Sequence, residues 1–139
     1  RELRFDIGML SERVAKVVDW LQQNEETKGL RIGICGSSTG AAAALVAAAL
    51  RPGLVHAVVS RGGRPDLAGN HLPQVHSATL LIVGGDDTIV IGMNEEAFEL
   101  LQCEKKLSIV PGATHLFEEP GTLEDAAQQA QVWFREHLA

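Results

Sequence analysis

The segment Gly36-Ser37-Ser38-Thr39-Gly40 is the first place in this sequence where residue type and spacing suggest bond-making chemistry. A serine hydroxyl is a weak nucleophile near neutral pH. It needs a base to take its proton and a carboxylate to orient that base. Both occur further along, in Gly84-Gly85-Asp86-Asp87 and in Pro111-Gly112-Ala113-Thr114-His115, giving the chain order serine, acid, histidine. Ser38 stands centrally between the two glycines, whereas Ser37 is assigned to packing or turn chemistry. On a sharp turn with both glycines clearing space, the Ser38 hydroxyl would be raised as a nucleophile. The backbone N–H of Thr39, at the positive end of the next helix, would then face a developing oxyanion. Taken singly, each residue has a plainer explanation: Ser38 as a helix N-cap, Asp87 as a turn residue, His115 as a loop residue after Pro-Gly. Their joint occurrence after separate strands favours Ser38, one acid of the Asp86-Asp87 pair and His115 acting together.

The elements that must position these residues are legible in the hydrophobic pattern. After an irregular start, Leu10, Val14, Val17, Val18 and Leu21 recur at helical spacing, and Lys28-Gly29 stops that helix. Arg31 to Cys35 reads as a short strand, Gly36 to Gly40 as a turn, and Ala41 to Leu50 as an alanine-rich helix able to lie close to a sheet. Further strands are expected at Val55 to Ser60, Thr79 to Val83 and Lys106 to Val110, with helices around Glu95 to Leu101 and from Thr122 to His137. Thr122 is the expected N-cap of the last helix, with Glu124 and Asp125 in its first turn. Short apolar strands alternating with helices predict a mostly parallel α/β sheet flanked by helices on both faces. Arg61 to Ser77 is the longest irregular stretch. Trp20 and Trp133 are expected to be core aromatics.

Composition narrows the function classes. With 139 residues, 45% of them hydrophobic, the chain is expected to form a single domain, 1–139. A formal charge of −6 without long charge blocks disfavours nucleic-acid binding. No run is long and apolar enough for a membrane span, and Arg1 to Asp6 lack the plan of a signal peptide. Cys35 and Cys103 show no disulfide spacing, so a reducing cytoplasm is expected. Cys35, inside a strand, is given no catalytic role. The five histidines are scattered, and neither a metal nor an organic cofactor is expected. Arg61 and Arg64 could hold a substrate carboxylate, but a structural role is favoured for both, and for His71 and His76 in the same loop.

Three segments together resemble the elbow, acid and histidine motifs of the α/β-hydrolase superfamily, in its dienelactone-hydrolase-like branch: Gly36 to Gly40, Leu81 to Asp87, and Val110 to Phe117. The order serine, acid, histidine is the one that superfamily uses. The resemblance runs from the first helix to the last and implies hydrolysis of a small ester, lactone or related acyl compound through an acyl-enzyme, without a cofactor. It also implies Asp87 as the acid, three residues beyond Gly84, with Asp86 as runner-up. Dienelactone hydrolases proper carry cysteine where this sequence has Ser38, which counts against dienelactone as the substrate. Two other classes remain as alternatives. A nucleotide-binding domain lacks its fingerprint here, because Gly33, Gly36 and Gly40 do not fit Gly-x-Gly-x-x-Gly and no Lys-Ser/Thr follows the turn. A non-catalytic interaction domain on the hydrolase scaffold is weakened by the presence of all three residues.

The resemblance carries one further expectation. In that fold the elbow strand lies mid-sheet, with strands on its other side contributed by preceding sequence, and a loop there supplies a second oxyanion donor. This chain is therefore expected to be the C-terminal portion of the fold, lacking the N-terminal strands. Arg31 to Cys35 would then be an open apolar edge, to be covered by the missing N-terminal half of the hydrolase or by a second copy along the elbow strand.

Overall fold

A computed structural model describes the backbone from Glu2 to Ala139 and the side chains from Asp6 onward. The element order is α1 (Glu2–Gln23), β1 (Ile32–Ser38), α2 (Thr39–Leu50), β2 (Val55–Gly63), a 3-10 segment (Pro65–Gln74), β3 (Ala78–Gly84), α3 (Thr88–Leu100), β4 (Lys105–Val110) and α4 (Thr122–Leu138). The four strands are ordered β1-β2-β3-β4 and every pairing is parallel. One face of the sheet is covered by α1, α2, the 3-10 segment and α3, the other by α4. The expected α/β architecture is observed, with β1 at an edge and, among the described residues, paired only with β2. Among the described residues no helix is long and apolar enough to cross a membrane.

Several element bounds differ from the sequence reading, for identifiable reasons. The start before Leu10 is helical from Glu2, with Arg1 outside the described residues. The helix turns Ile7, Ser11, Ala15 and Val18 inward, while Val17 and Trp20 are 56% and 58% exposed. Small Ser11 and Ala15 fit the middle of this buried stripe because α1 packs against the alanine-rich α2, and Trp20 is not a core aromatic. Trp133 is buried as expected, its indole N–H donating to the Ala78 carbonyl at 3.1 Å. Helix α1 ends at Gln23, before Lys28-Gly29, where the Asn24 side chain accepts from Glu26 N–H and its carbonyl from Thr27 and Lys28. Part of the stretch read as irregular winds into the 3-10 segment, broken at Gly69 (φ +54), so that Pro65, Ala68 and Leu72 are buried. Helix α3 begins seven residues earlier than Glu95, at Thr88. The N-cap of α4 is Gly121, in the left-handed region; Thr122 instead donates its hydroxyl to the Glu119 carbonyl at 2.8 Å.

Helix α2 is the centre of the packing. Its residues from Ala41 to Ala49 are all buried, so it is apolar on every side and sheathed by α1, the sheet and the 3-10 segment. Alanine makes this possible by letting neighbouring backbones come close. The helix axis that leaves the Ser38 turn is thereby fixed from all sides.

Candidate active site

Strand β1 runs through the segment read as a turn, because its pairing continues to Ser38↔Gly63 with an irregularity between Ser37 and Ser38. The chain reverses at Ser38 itself, at φ 52 and ψ −130. For a residue with a Cβ this conformation costs about 1–3 kcal/mol and is held by its surroundings. The Ser38 carbonyl accepts from Arg64 N–H at 3.0 Å, and Thr39 begins the buried α2. Ser38 occupies the N-cap position of α2, yet its side chain makes no capping hydrogen bond and the residue is exposed. The plain N-cap explanation therefore fails. Of the two glycines expected to clear space, only Gly36 does so: a Cβ there would lie 2.7 Å from Gly40 O, whereas a Cβ on Gly40 meets nothing within 4 Å.

The other two motifs meet at the ends of β3 and β4. Asp87 stands just before α3 with no capping bond of its own, and its Oδ2 lies 3.0 Å from His115 Nδ1. The carboxylate is 17% exposed and the imidazole 40%, so the acid is sheltered and the histidine opens to solvent. Asp86 is exposed and makes a main-chain contact, its N–H donating to Ala113 O at 3.0 Å. Gly84 and Gly85 are needed because the loop bearing His115 crosses directly over them, filling the space of a Gly84 side chain with the Ala113 carbonyl.

His115 also lies over the end of β2. A Cβ on Gly62, whose φ is +56, would stand 2.9 Å from His115 O and 3.6 Å from its Nδ1. The next residue, Gly63, is the register partner of Ser38. The imidazole and the serine are thus gathered at neighbouring strand ends, although no hydrogen bond joins their side chains among the described residues. Contacts of this kind are commonly long without bound substrate. The first N–H groups of α2, Thr39 included, have no partner within the helix.

The remaining candidates separate. Arg64 forms a two-pronged ion pair with Asp66, at 3.0 Å for each bond, which raises the guanidinium pKa and gives it a structural role. Arg61 has no carboxylate partner among the described residues and sits 5.4 Å from the centre of the Phe117 ring. It borders a cleft of about 340 Å³ with Cys35, Leu123 and Phe134. Cys35 is exposed along β1, yet partial desolvation in this cleft pushes its thiol pKa up, against the opposing pull of Arg61, which disfavours the thiolate. His71 contacts the Ala68 carbonyl at 3.3 Å and His76 is exposed; neither is part of the cluster. Among the described residues no group of three His, Cys, Asp or Glu side chains is placed to hold a metal ion.

Two contributors had no signal in the sequence. Asn94, fully buried on α3, donates to Gly63 O at 3.2 Å and to Val90 O at 2.9 Å, tying α3 to the end of β2. Glu119 accepts from both the N–H and the hydroxyl of Thr114, next to His115. Neither lies in a strand-end motif, so only the folded chain reveals it.

Comparison with known proteins bears on the family and the fold. A Mycobacterium tuberculosis protein named "Putative phosphoribosyl transferase" is 54% identical over 134 residues, which are 96% of this chain and 30% of that protein. The crystal structure of dienelactone hydrolase from Anabaena variabilis is 58% identical, with a TM-score of 0.95 over 97% of this chain and 62% of that one. The esterase domain of a Rhodothermus marinus protein, at 20% identity and a TM-score of 0.74, covers 93% of this chain and 69% of its own, and shares the fold. The chain thus spans under a third of the mycobacterial protein and less than two thirds of the Anabaena one. The model of the dienelactone hydrolase family matches residues 6–137, and with an α/β-hydrolase fold around that match the chain belongs to this family of hydrolases.

Proposed function

We propose that the chain carries the nucleophile, base and acid of a serine hydrolase acting on a small ester, lactone or related acyl compound. The observation that carries this reading is the Asp87–His115 hydrogen bond of 3.0 Å beside a left-handed Ser38 whose hydroxyl caps nothing. In the first half-reaction His115 Nε2 takes the Ser38 proton as the oxygen adds to the substrate carbonyl. Asp87 holds the Nδ1–H and stabilises the imidazolium. The Thr39 N–H receives the oxyanion, and His115 returns the proton to the leaving alkoxide, leaving an acyl-serine. A water molecule, deprotonated by His115, then releases the acid and restores Ser38. No metal or cofactor enters these steps. Turnover of short p-nitrophenyl esters by the wild type and by Ser38→Ala tests the reading; equal rates would refute it. The name of the mycobacterial relative describes a protein of which this chain spans 30%, and its activity is not carried over.

We further propose that the domain works as the C-terminal portion of a larger hydrolase whose remaining part pairs along β1. Support comes from the position of β1, whose N–H and C=O groups on one side lack a strand partner among the described residues. The remaining part would also supply the second oxyanion donor, whose loss costs about 10²–10³ in kcat. A longer protein spanning both parts should exceed the 139-residue chain by such a factor. Equal rates would refute the proposal, and a dimer active at the level of the longer protein would assign β1 to a second copy.

A further inference from the structure

The segment linking His115 to α4 is held by unusual means. Phe117, though not glycine, has φ +55, and its ring is only 2% exposed, so burial in the core on the α4 side keeps the backbone in place. Glu119 provides a second anchor. Its Oε1 accepts from the Thr114 N–H at 2.9 Å and its Oε2 from the Thr114 hydroxyl at 2.7 Å. The Glu119 carbonyl meanwhile accepts from the N–H and the hydroxyl of Thr122, at 3.1 and 2.8 Å. One residue therefore joins the residue before His115 to the first residue of α4. The Thr114 N–H, and after it the Thr114 hydroxyl, hold the Glu119 carboxyl below its usual pKa, so both bonds are made to a carboxylate.

His115 needs such an anchor. Among the described residues its ring has one hydrogen-bond partner, Asp87, and it is 40% exposed. One bond at Nδ1 fixes a point on the ring while leaving the swing of Nε2 to the main chain that carries it. On the N-terminal side that chain is tied by Ala113 O to Asp86 N–H; at Thr114 the side-chain tie is Glu119.

We propose that Glu119 is a positioning residue for His115. By binding both donors of Thr114, it keeps the imidazole over Gly62, at the strand end next to Ser38. The proposal rests on the reading of Ser38 and His115 as nucleophile and base, and its test separates the two. The wild-type chain, Glu119→Ala, Glu119→Gln and Ser38→Ala are compared by three measurements: the rate of labelling at Ser38 by a fluorophosphonate, the NMR resonance of the His115 imidazole N–H, and the thermal midpoint. Glutamine can offer its carbonyl to the Thr114 N–H and its amide to the hydroxyl oxygen, so it should rescue most of the function.

In Glu119→Ala, labelling should slow by about 10- to 100-fold, the range expected when a catalytic group is displaced by up to 1 Å. The His115 N–H resonance should broaden or vanish while the thermal midpoint stays close to that of the wild type. Glu119→Gln should label within a few-fold of the wild type. Wild-type labelling in Glu119→Ala with an unmoved resonance overturns the proposal. So does equal slowing in both variants with a matching loss of thermal stability, which would mean that Glu119 only stabilises the loop. If Ser38 of the wild type is not labelled, the hydrolase reading fails, and the His115 resonance alone decides the role of Glu119: lost in Glu119→Ala it stands, unmoved it falls.

Discussion

Replacing Gly36 by alanine tests whether the turn at Ser38 is held by contact with the start of α2. An added Cβ would lie 2.7 Å from Gly40 O, 2.8 Å from Gly40 C and 2.9 Å from Ala41 Cα, where ordinary contact is 3.4–4 Å. All three atoms are main chain, so no side chain can rotate away. Helix α2 must retreat by roughly 0.5–1 Å, and its buried run from Ala41 to Ala49 leaves it no free direction. Overpacking of this kind costs about 1–3 kcal/mol. Gly40→Ala is the internal control. It sits in the first turn of α2 with nothing within 4 Å of an added Cβ, so the better helix propensity should add up to about 1 kcal/mol. The two variants should therefore differ by about 1–4 kcal/mol in urea unfolding. If Gly36→Ala unfolds within about 0.5 kcal/mol of the wild type, or if Gly40→Ala is destabilised as much as Gly36→Ala, the contact argument is refuted.

Other consequences are open to measurement. Asp87→Asn should lower kcat for a p-nitrophenyl ester by about 10⁴, as loss of the orienting carboxylate does in related triads, and Asp86→Asn by far less; a reversed ranking would reassign the acid. Ser38→Gly should abolish turnover and raise stability by about 1–2 kcal/mol, because glycine adopts the φ of 52 without strain; a lower midpoint in urea would show that the turn is not strained. His137 offers a pH test. Desolvation lowers its pKa, but hydrogen bonds to the Glu104 carboxylate at 2.9 Å and the Trp133 carbonyl at 2.8 Å outweigh this and raise it above the ordinary 6.5. Its stabilising effect is fully present below that value and is lost as pH rises through the higher folded one. The thermal midpoint of the wild type relative to His137→Gln should thus fall from acid toward alkaline pH, and a difference that grows with pH would show the sign to be wrong.

The placing of the candidate residues was legible because a short apolar strand is recognisable ahead of each, and Ser38, Asp87 and His115 lie at the ends of β1, β3 and β4 with the expected parallel sheet beneath them. The buried face of α1 was not, because Ser11 and Ala15 point inward while Val17 points out, and only the alanine surface of α2 explains that choice. Gly40 was assigned a steric role on symmetry with Gly36 that the geometry does not support. Thr122 looked like an N-cap from its place before Glu124 and Asp125, but Gly121 takes the left-handed position. Glu119 and Asn94 act across loops, where spacing in the chain says nothing about distance.

The order of the strands in the sheet equals their order in the chain: Gly33 pairs with Ala57, Ala57 with Ala78, and Thr79 with Lys105. Within this chain each of β2, β3 and β4 pairs with the strand that precedes it. Each pairing therefore spans a single crossover connection. Ser38 thus sits at the end of β1 and His115 after β4, so the loop carrying His115 must reach back past β3 to lie over Gly62 at the end of β2.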